Sequence, residues 1–159
     1  MLHTTITSSF GNLLLRSDGK ALTGVYFADK KHALIPLSTS RHEPTHELFV
    51  QCEKQLAEYA AGKRTFFDIP CRFGNGTPLQ LRVWHALTDI PFGSTISYKT
   101  LAQGVGKPAA VRAVASAVGK NPLSIIIPCH RVMGSSGALT GYAGGLERKK
   151  TLLDLEKGF

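Results

Sequence analysis

The stretch "IIIPCHRVMG", residues 125–134, sets Cys129, His130 and Arg131 directly behind an apolar run closed by Pro128. Three consecutive isoleucines predict a buried strand, and the proline predicts a turn at its end. A cysteine there can be a packing thiol, a metal ligand or a nucleophile. Free cysteine is among the most buried residue types, and Cys52 and Cys71 fit packing: one lies on the apolar face of a predicted helix, the other in a predicted strand. Cys129 differs in its neighbours. Nearby cations favour the thiolate, and the thiolate is the nucleophile. Adjacent residues of an extended segment point to opposite sides, so Cys129 and His130 would communicate through a water. A histidine acting as base also needs an orienting acceptor. The acids available after residue 76 are Asp89, Glu147, Asp154 and Glu156.

Upstream of this stretch the pattern is helical. "TPLQLRVWHALTDI" (77–90) has Thr77 as N-cap, Pro78 at the first helical position and a stripe of Leu79, Val83 and Leu87. "SYKTLAQGVG" (97–106) and "KPAAVRAVASAVG" (107–119) are two short helices joined by a Gly-containing turn, a helix-turn-helix pattern with Pro108 starting the second helix. Downstream, a Gly/Ser loop leads to a last helix, "LERKKTLLDLEKG" (146–158). The first half reads differently. "GNLLLRSDGKALTGVYF" (11–27) is a hairpin with "SDGK" as its turn. Residues 29–45, with Pro36 and Pro44, read as a loop; "THELFVQCEKQLAEYAAG" (45–62) as a helix with Leu48, Cys52 and Leu56 on one face; "TFFDIPCRF" (65–73) as a strand. "GNGTP" (74–78) is the natural linker. Two domains follow, about residues 1–76 and 77–159.

The 159 residues are 43% hydrophobic, enough for a buried core. The longest apolar run falls short of the ~18 residues a membrane span needs, and the first 20 residues lack the pattern of a signal peptide. Three cysteines without such a signal fit a reducing cytosol. Charge is uneven: residues 1–76 carry nine Lys and Arg against seven Asp and Glu, and residues 77–159 carry ten against four. A basic C-terminal half suits a polyanionic partner, most simply nucleic acid. "HEPTH" (42–46) spells the zinc motif H-E-x-x-H, which requires both histidines on one continuous helical face. Pro44 is tolerated only near a helix start, so His42 is expected outside the helix that His46 enters.

"IPCHRV" is the active-site signature of the O6-alkylguanine-DNA alkyltransferases (methylated-DNA–protein-cysteine methyltransferases). "RVWHAL…IPFGSTISYKTLA", "AVRAV", "NPLSIIIPCHRV" and "SSGALTGYAGGLERKKTLLDLE" also resemble the family in order and spacing, over residues 79–157. The resemblance implies a small N-terminal α/β domain, ribonuclease H-like, beside a mostly helical, winged-helix-like C-terminal domain. It implies single-turnover repair without a cofactor or metal: the alkyl group on O6 of guanine, and also on O4 of thymine, moves irreversibly to Cys129. By the same similarity His130 deprotonates Cys129 through a water, Glu156 orients His130, and Asn121 braces the turn. The base is flipped out of the duplex by the helix-turn-helix in the minor groove. Arg112 matches the arginine finger that fills the gap, and Ala110 and Ala113 match the close approach of the second helix to DNA. Arg131 is grouped with the DNA-contacting residues. Tyr98 matches the tyrosine that crowds the 3′ phosphate and donates to the base. Val132, Tyr142, Ala143 and Gly144 line the guanine pocket with Tyr98. The expected partner is double-stranded DNA carrying O6-alkylguanine, bound by a monomer with or without cooperativity, in a bacterial or archaeal cytosol or nucleoid and not at a membrane.

The chain departs from the family at Ala143, where serine is frequent, which removes a hydroxyl contact, and at Ser124, where proline is common. The four-ligand zinc site of some members has no match, nor does the extra methylphosphotriester-repair domain, so the chain resembles the stand-alone form. Three rival readings fit the residues less well. A lesion binder of the alkyltransferase-like kind would replace Cys129. A cysteine hydrolase using Cys129, His130 and Glu156 would need an oxyanion hole and leaves the helix-turn-helix unexplained. A transcription regulator would need hydrogen-bonding side chains on the Ala-rich second helix for base readout.

Overall fold

The computed structural model describes residues 1–30 and 39–158. Its contacts divide the chain into two compact units. One comprises Met1–Gly74 together with Pro122–Ile126; the other comprises Asn75–Asn121 and the chain from Ile127 onward. A division by sequence position alone leaves residues 122–126 with the C-terminal half. They join the first unit because Val25 N–H donates to Pro122 O (2.8 Å) and Ser124 N–H to Val25 O (3.1 Å).

The first unit is a four-stranded sheet with one helix. Strands β1 (Leu2–Ser8), β2 (Gly11–Ser17) and β3 (Leu22–Phe27) form an antiparallel meander, and β4 (Arg41–His42) pairs parallel to β1, giving the order β3-β2-β1-β4. The "SDGK" turn forms as its chemistry requires. Asp18 Oδ1 accepts from the N–H of Lys20 and of Ala21, both at 2.9 Å, and Gly19 takes φ 95°. Helix α1 (Glu47–Ala60) lies against β1 and buries Leu48, Phe49, Cys52, Leu56 and Tyr59. Each such side chain contributes roughly 1.5–3 kcal/mol by leaving water. The expected loop at 29–45 falls partly outside the described residues; within it, β4 replaces loop at its end. His42 sits on β4, while His46 caps α1, its Nδ1 accepting from Leu48 N–H at 3.2 Å. The letters H-E-x-x-H thus span a strand, a turn and a cap, and the two histidines share no helical face.

Residues 65–73 do not form the expected strand. A single parallel bridge joins Cys71 to Leu22, and Pro70 gives its carbonyl to Leu22 N–H but has no donor of its own. Cys71 is exposed rather than packed inside, whereas Cys52 is fully buried.

The second unit is mainly helical: α2 (Pro78–Leu87), α3 (Tyr98–Gly104), α4 (Val111–Gly119) and α5 (Leu146–Lys157), with a short parallel pair, β5 (Ile96–Ser97) and β6 (Val132–Met133). Helix α2 starts at a full capping box: Thr77 Oγ1 accepts from Gln80 N–H, and Gln80 Oε1 from Thr77 N–H. It buries Val83, Leu87 and Trp84, and Trp84 Nε1–H donates to Ala117 O of α4 at 2.8 Å. Helix α4 begins at Val111, later than the expected Pro108, because residues 107–110 form a separate turn closed by Ala110 N–H to Lys107 O. Among the described residues no helix is long and apolar enough to cross a membrane.

Candidate active site

The isoleucine run is not a strand. Leu123 makes one parallel bridge to Val25, and the chain then folds through two three-residue turns. In the first, Ile126 N–H donates to Ser124 O (2.8 Å) across Ile125, whose φ is 70°. That region disfavours a β-branched residue, and such strain costs about 1–3 kcal/mol. Ile125 is 1% exposed, so its burial offsets the strain. In the second turn, Cys129 N–H donates to Ile127 O (2.8 Å) across Pro128, at φ −81° and ψ 62°. These are the angles of an inverse γ-turn, and proline's ring already fixes the required φ. Residues 129–131 continue as one 3-10 turn, so Cys129 and His130 do not alternate across an extended segment as the sequence suggests.

This turn buries all three signature residues. Cys129 is 3% exposed and His130 0%. Asn121 Nδ2 donates to Ile127 O at 2.9 Å, tying the two ends of the turn, and the Asn121 side chain also hydrogen-bonds the Cys129 sulfur. Burial pushes the Cys129 thiol up to about 11, against the opposing pull of Asn121 and of the Lys149 charge. The resting group is therefore a thiol at neutral pH and needs a base. His130 can serve. Its Nε2 bonds Glu156 Oε2 at 2.7 Å, which leaves Nδ1, buried and without a partner among the described residues, as the nitrogen able to take a proton. Burial lowers the His130 pKa below 6.5, with Glu156 opposing, so the imidazole is neutral at pH 7.

Arg131 is corrected by the structure. It is 8% exposed, and its guanidinium is committed inside the protein rather than offered to DNA. Nε and Nη2 donate to the two oxygens of Glu156 at 2.8 and 2.9 Å, Nη1 donates to Ile90 O at 2.7 Å, and the Phe92 ring lies 5.7 Å from its centre. A fork-to-fork pair of this kind is among the stronger hydrogen-bonded ion pairs. Glu156, 2% exposed on α5, thereby bridges Arg131 and His130 through its two oxygens.

The pocket residues converge on the same unit. The β5–β6 ladder pairs Ile96 with Val132 and Ser97 with Met133, which brings Tyr98, the next residue, beside the chain leaving Cys129. Tyr98 is half-buried; burial raises its pKa, and its hydroxyl hydrogen-bonds the Thr140 side chain. Tyr142 stands edge-on to His130, with ring centroids 6.5 Å apart. Val132 and Gly144 are buried and Ala143 is half-buried. Arg112 and Ala113 are exposed on α4, and Ala110 is half-buried at its N-cap; Ala117, on the same helix, faces the interior.

One buried cation was not anticipated. Lys149 on α5 is 0% exposed, and its ammonium donates to Val132 O (2.6 Å), Thr140 O (2.6 Å) and Gly141 O (3.3 Å), with the Tyr98 ring 5.8 Å away. The signal for it was in the sequence: Lys149, Leu152, Leu153 and Glu156 follow i, i+3, i+4, i+7 and share one face.

Two family models match the chain: the 6-O-methylguanine DNA methyltransferase ribonuclease-like domain over residues 1–73 and its DNA binding domain over residues 78–158. The methylated-DNA–protein-cysteine methyltransferase of Mycobacterium tuberculosis is 44% identical over 158 residues, 99% of this chain and 93% of that protein. The protein of the same name from Methanosarcina barkeri is 43% identical, over 99% and 98%. The crystal structure of the M. tuberculosis protein OGT in complex with DNA superposes with a TM-score of 0.91 at 42% identity, covering 99% of this chain and 94% of that one. With both halves matched by models of one family, and with full-length relatives well above 30% identity, the chain belongs to the 6-O-methylguanine DNA methyltransferases.

Proposed function

We infer that the protein repairs alkylated DNA by direct reversal, with Cys129 as the acceptor of the alkyl group from O6 of guanine. The observation that carries this reading is the buried cluster of Cys129, His130 and Glu156, in which Glu156 hydrogen-bonds His130 Nε2 and Nδ1 has no partner among the described residues, which supports a base there. His130 takes the thiol proton through a water. The sulfur attacks the alkyl carbon, the carbon–O6 bond breaks, and its electron pair stays on the guanine, where Tyr98 O–H supplies a hydrogen bond or proton. The Val132 carbonyl keeps a second lone pair, beyond the one Lys149 uses, for the base's amino group. The product is a thioether, which water does not cleave, so each molecule acts once.

The duplex is read from α3 and α4. Arg112 and Ala113 are exposed there, which supports an arginine that enters the stack behind the flipped base and a small residue that lets the helix approach. O4-alkylthymine is a second substrate of the same pocket. The protein works as a monomer, in the cytosol, on double-stranded DNA.

The test is intact-protein mass spectrometry after incubation with duplex containing O6-methylguanine, with peptide mapping. One added methyl on the Cys129 peptide and a stoichiometry of one are expected. Cys129→Ser should bind the lesion but gain no mass. Methyl found on Cys71, or turnover beyond one, would overturn the assignment.

A further inference from the structure

The mechanism above has no part for the most unusual side chain in the unit, a lysine with no exposed surface. A buried ammonium is costly unless its donors are paired. Lys149 has three donors and three carbonyl acceptors, Val132 O at 2.6 Å, Thr140 O at 2.6 Å and Gly141 O at 3.3 Å. These acceptors come from two separate segments. Val132 opens β6, three residues after Cys129; Thr140 and Gly141 belong to the 134–145 loop that carries Tyr142, Ala143 and Gly144. Within that loop Gly134 N–H donates to Ala138 O, Gly137 N–H to Gly134 O and Gly145 N–H to Tyr142 O, but no helix or strand holds it. The Tyr98 ring lies 5.8 Å from the same ammonium.

We propose that Lys149 is a positioning residue for alkyl transfer: its ammonium clamps the 134–145 loop to the segment leaving Cys129, and supplies a fixed positive charge as the sulfur ionises. The inference rests on the alkyl-transfer reading of this site. Three point donors on one flexible stem suit three carbonyls arriving from different directions, whereas a planar guanidinium would not. The charge acts in the same sense as the Asn121 hydrogen bond, both opposing the burial that raises the Cys129 thiol. One side chain would therefore set the shape of the pocket wall and the ease of forming the nucleophile.

The experiment compares wild type, Lys149→Met and Lys149→Arg in two assays. The first is single-turnover transfer from free O6-benzylguanine, which needs no DNA. The second is the pH profile of Cys129 modification by iodoacetamide, followed on the Cys129 peptide, which needs no guanine pocket. Lys149→Met should slow transfer by about 100-fold, the scale of a small misplacement of reacting groups, and move the iodoacetamide midpoint to higher pH. Lys149→Arg should slow transfer while leaving that midpoint close to wild type. A folded Lys149→Met protein with the wild-type midpoint and wild-type transfer overturns the proposal. Should neither variant fold, amide hydrogen exchange on wild type decides: protected Gly137 and Gly145 amides are expected, and exchange at unstructured rates refutes the clamp. Failure of the alkyl-transfer reading is distinguishable, since wild type itself would then gain no benzyl group while its iodoacetamide profile stayed measurable.

Discussion

The turn at Cys129 and the outer face of α4 are built on opposite plans, though the proposed chemistry uses both. Around the turn the charged groups are buried and paired: Glu156 with Arg131 and His130, Lys149 with three carbonyls. On α4, Arg112 and Ala113 face solvent. Charges taken out of water must be compensated inside the protein, so the turn cannot be altered without disturbing the fold. A face that meets a partner keeps its groups solvated until binding, so it can be altered freely. The comparison predicts that damage to the turn appears in stability and chemistry together, and damage to α4 in duplex handling alone.

Glu156→Gln is the strongest way to break that comparison. It keeps the shape but removes the charge that pairs with Arg131, leaving a buried guanidinium uncompensated. Loss of about 3–5 kcal/mol is expected, read as a lower urea midpoint. Transfer should collapse even under conditions where the variant is folded, since His130 loses its anionic partner. Wild-type stability in this variant would mean that the Arg131–Glu156 pair is structurally idle. Trp84→Phe is the control within the same unit. It removes the buried hydrogen bond to Ala117 O that joins α2 to α4; since that carbonyl still accepts from Lys120 N–H at 3.2 Å, the loss is that of one ordinary hydrogen bond, about 0.5–1.5 kcal/mol. Transfer to the folded variant should stay at the wild-type rate, because no reacting group moves.

Acid sharpens the comparison without a mutation. Burial depresses the His130 pKa below 6.5 in the folded state. As pH falls below 6.5, the unfolded chain takes up a proton at this residue before the folded one does. The unfolded state then binds more protons, and stability falls, by at most about 1.4 kcal/mol per pH unit from this group. About a unit or more above 6.5 the imidazole is essentially neutral in both states and contributes almost no slope. Urea midpoints at pH 7.5 and 5.5 should therefore differ in wild type and converge in His130→Gln. Equal differences in the two proteins would assign the acid sensitivity elsewhere.

The same division explains what could be read from the sequence. Elements governed by local chemistry were legible: the Asp18–Gly19 turn, the Thr77 N-cap, the apolar face of α1. The grouping of Cys129, His130, Asn121 and Glu156 was legible too, through the spacing around "PCHRV". Its geometry was not. Three isoleucines carry a strand signal, yet Ile125 at positive φ and Pro128 in an inverse γ-turn accompany pairings with Val25, distant in sequence, and with the side chain of Asn121, which no local pattern predicts. Arg131 looked like a DNA contact because charge alone says exposed, and only the fold places Glu156 against its fork. Cys71 looked like a core thiol because the segment around it is apolar, and only the single bridge to Leu22 reveals an exposed edge. Lys149 could have been found, since a lysine on the same helical face as Leu152 and Leu153 contradicts the pattern around it and calls for a buried role.

Arg112→Ala is the smallest perturbation and the one that separates the two plans most cleanly. The side chain is exposed on α4, so its removal opens no cavity and strands no charge. The urea midpoint should not move. Transfer from free O6-benzylguanine should not move either, because that base reaches Cys129 without leaving a stack. Transfer from duplex should slow by about tenfold or more, since unstacking a base costs a few kcal/mol that an arginine filling the gap, as proposed for Arg112, would offset. The decisive quantity is the ratio of the two rates. If free base and duplex lose rate equally, Arg112 acts on the pocket rather than on the helix, and α4 would then share the plan of the buried turn instead of opposing it.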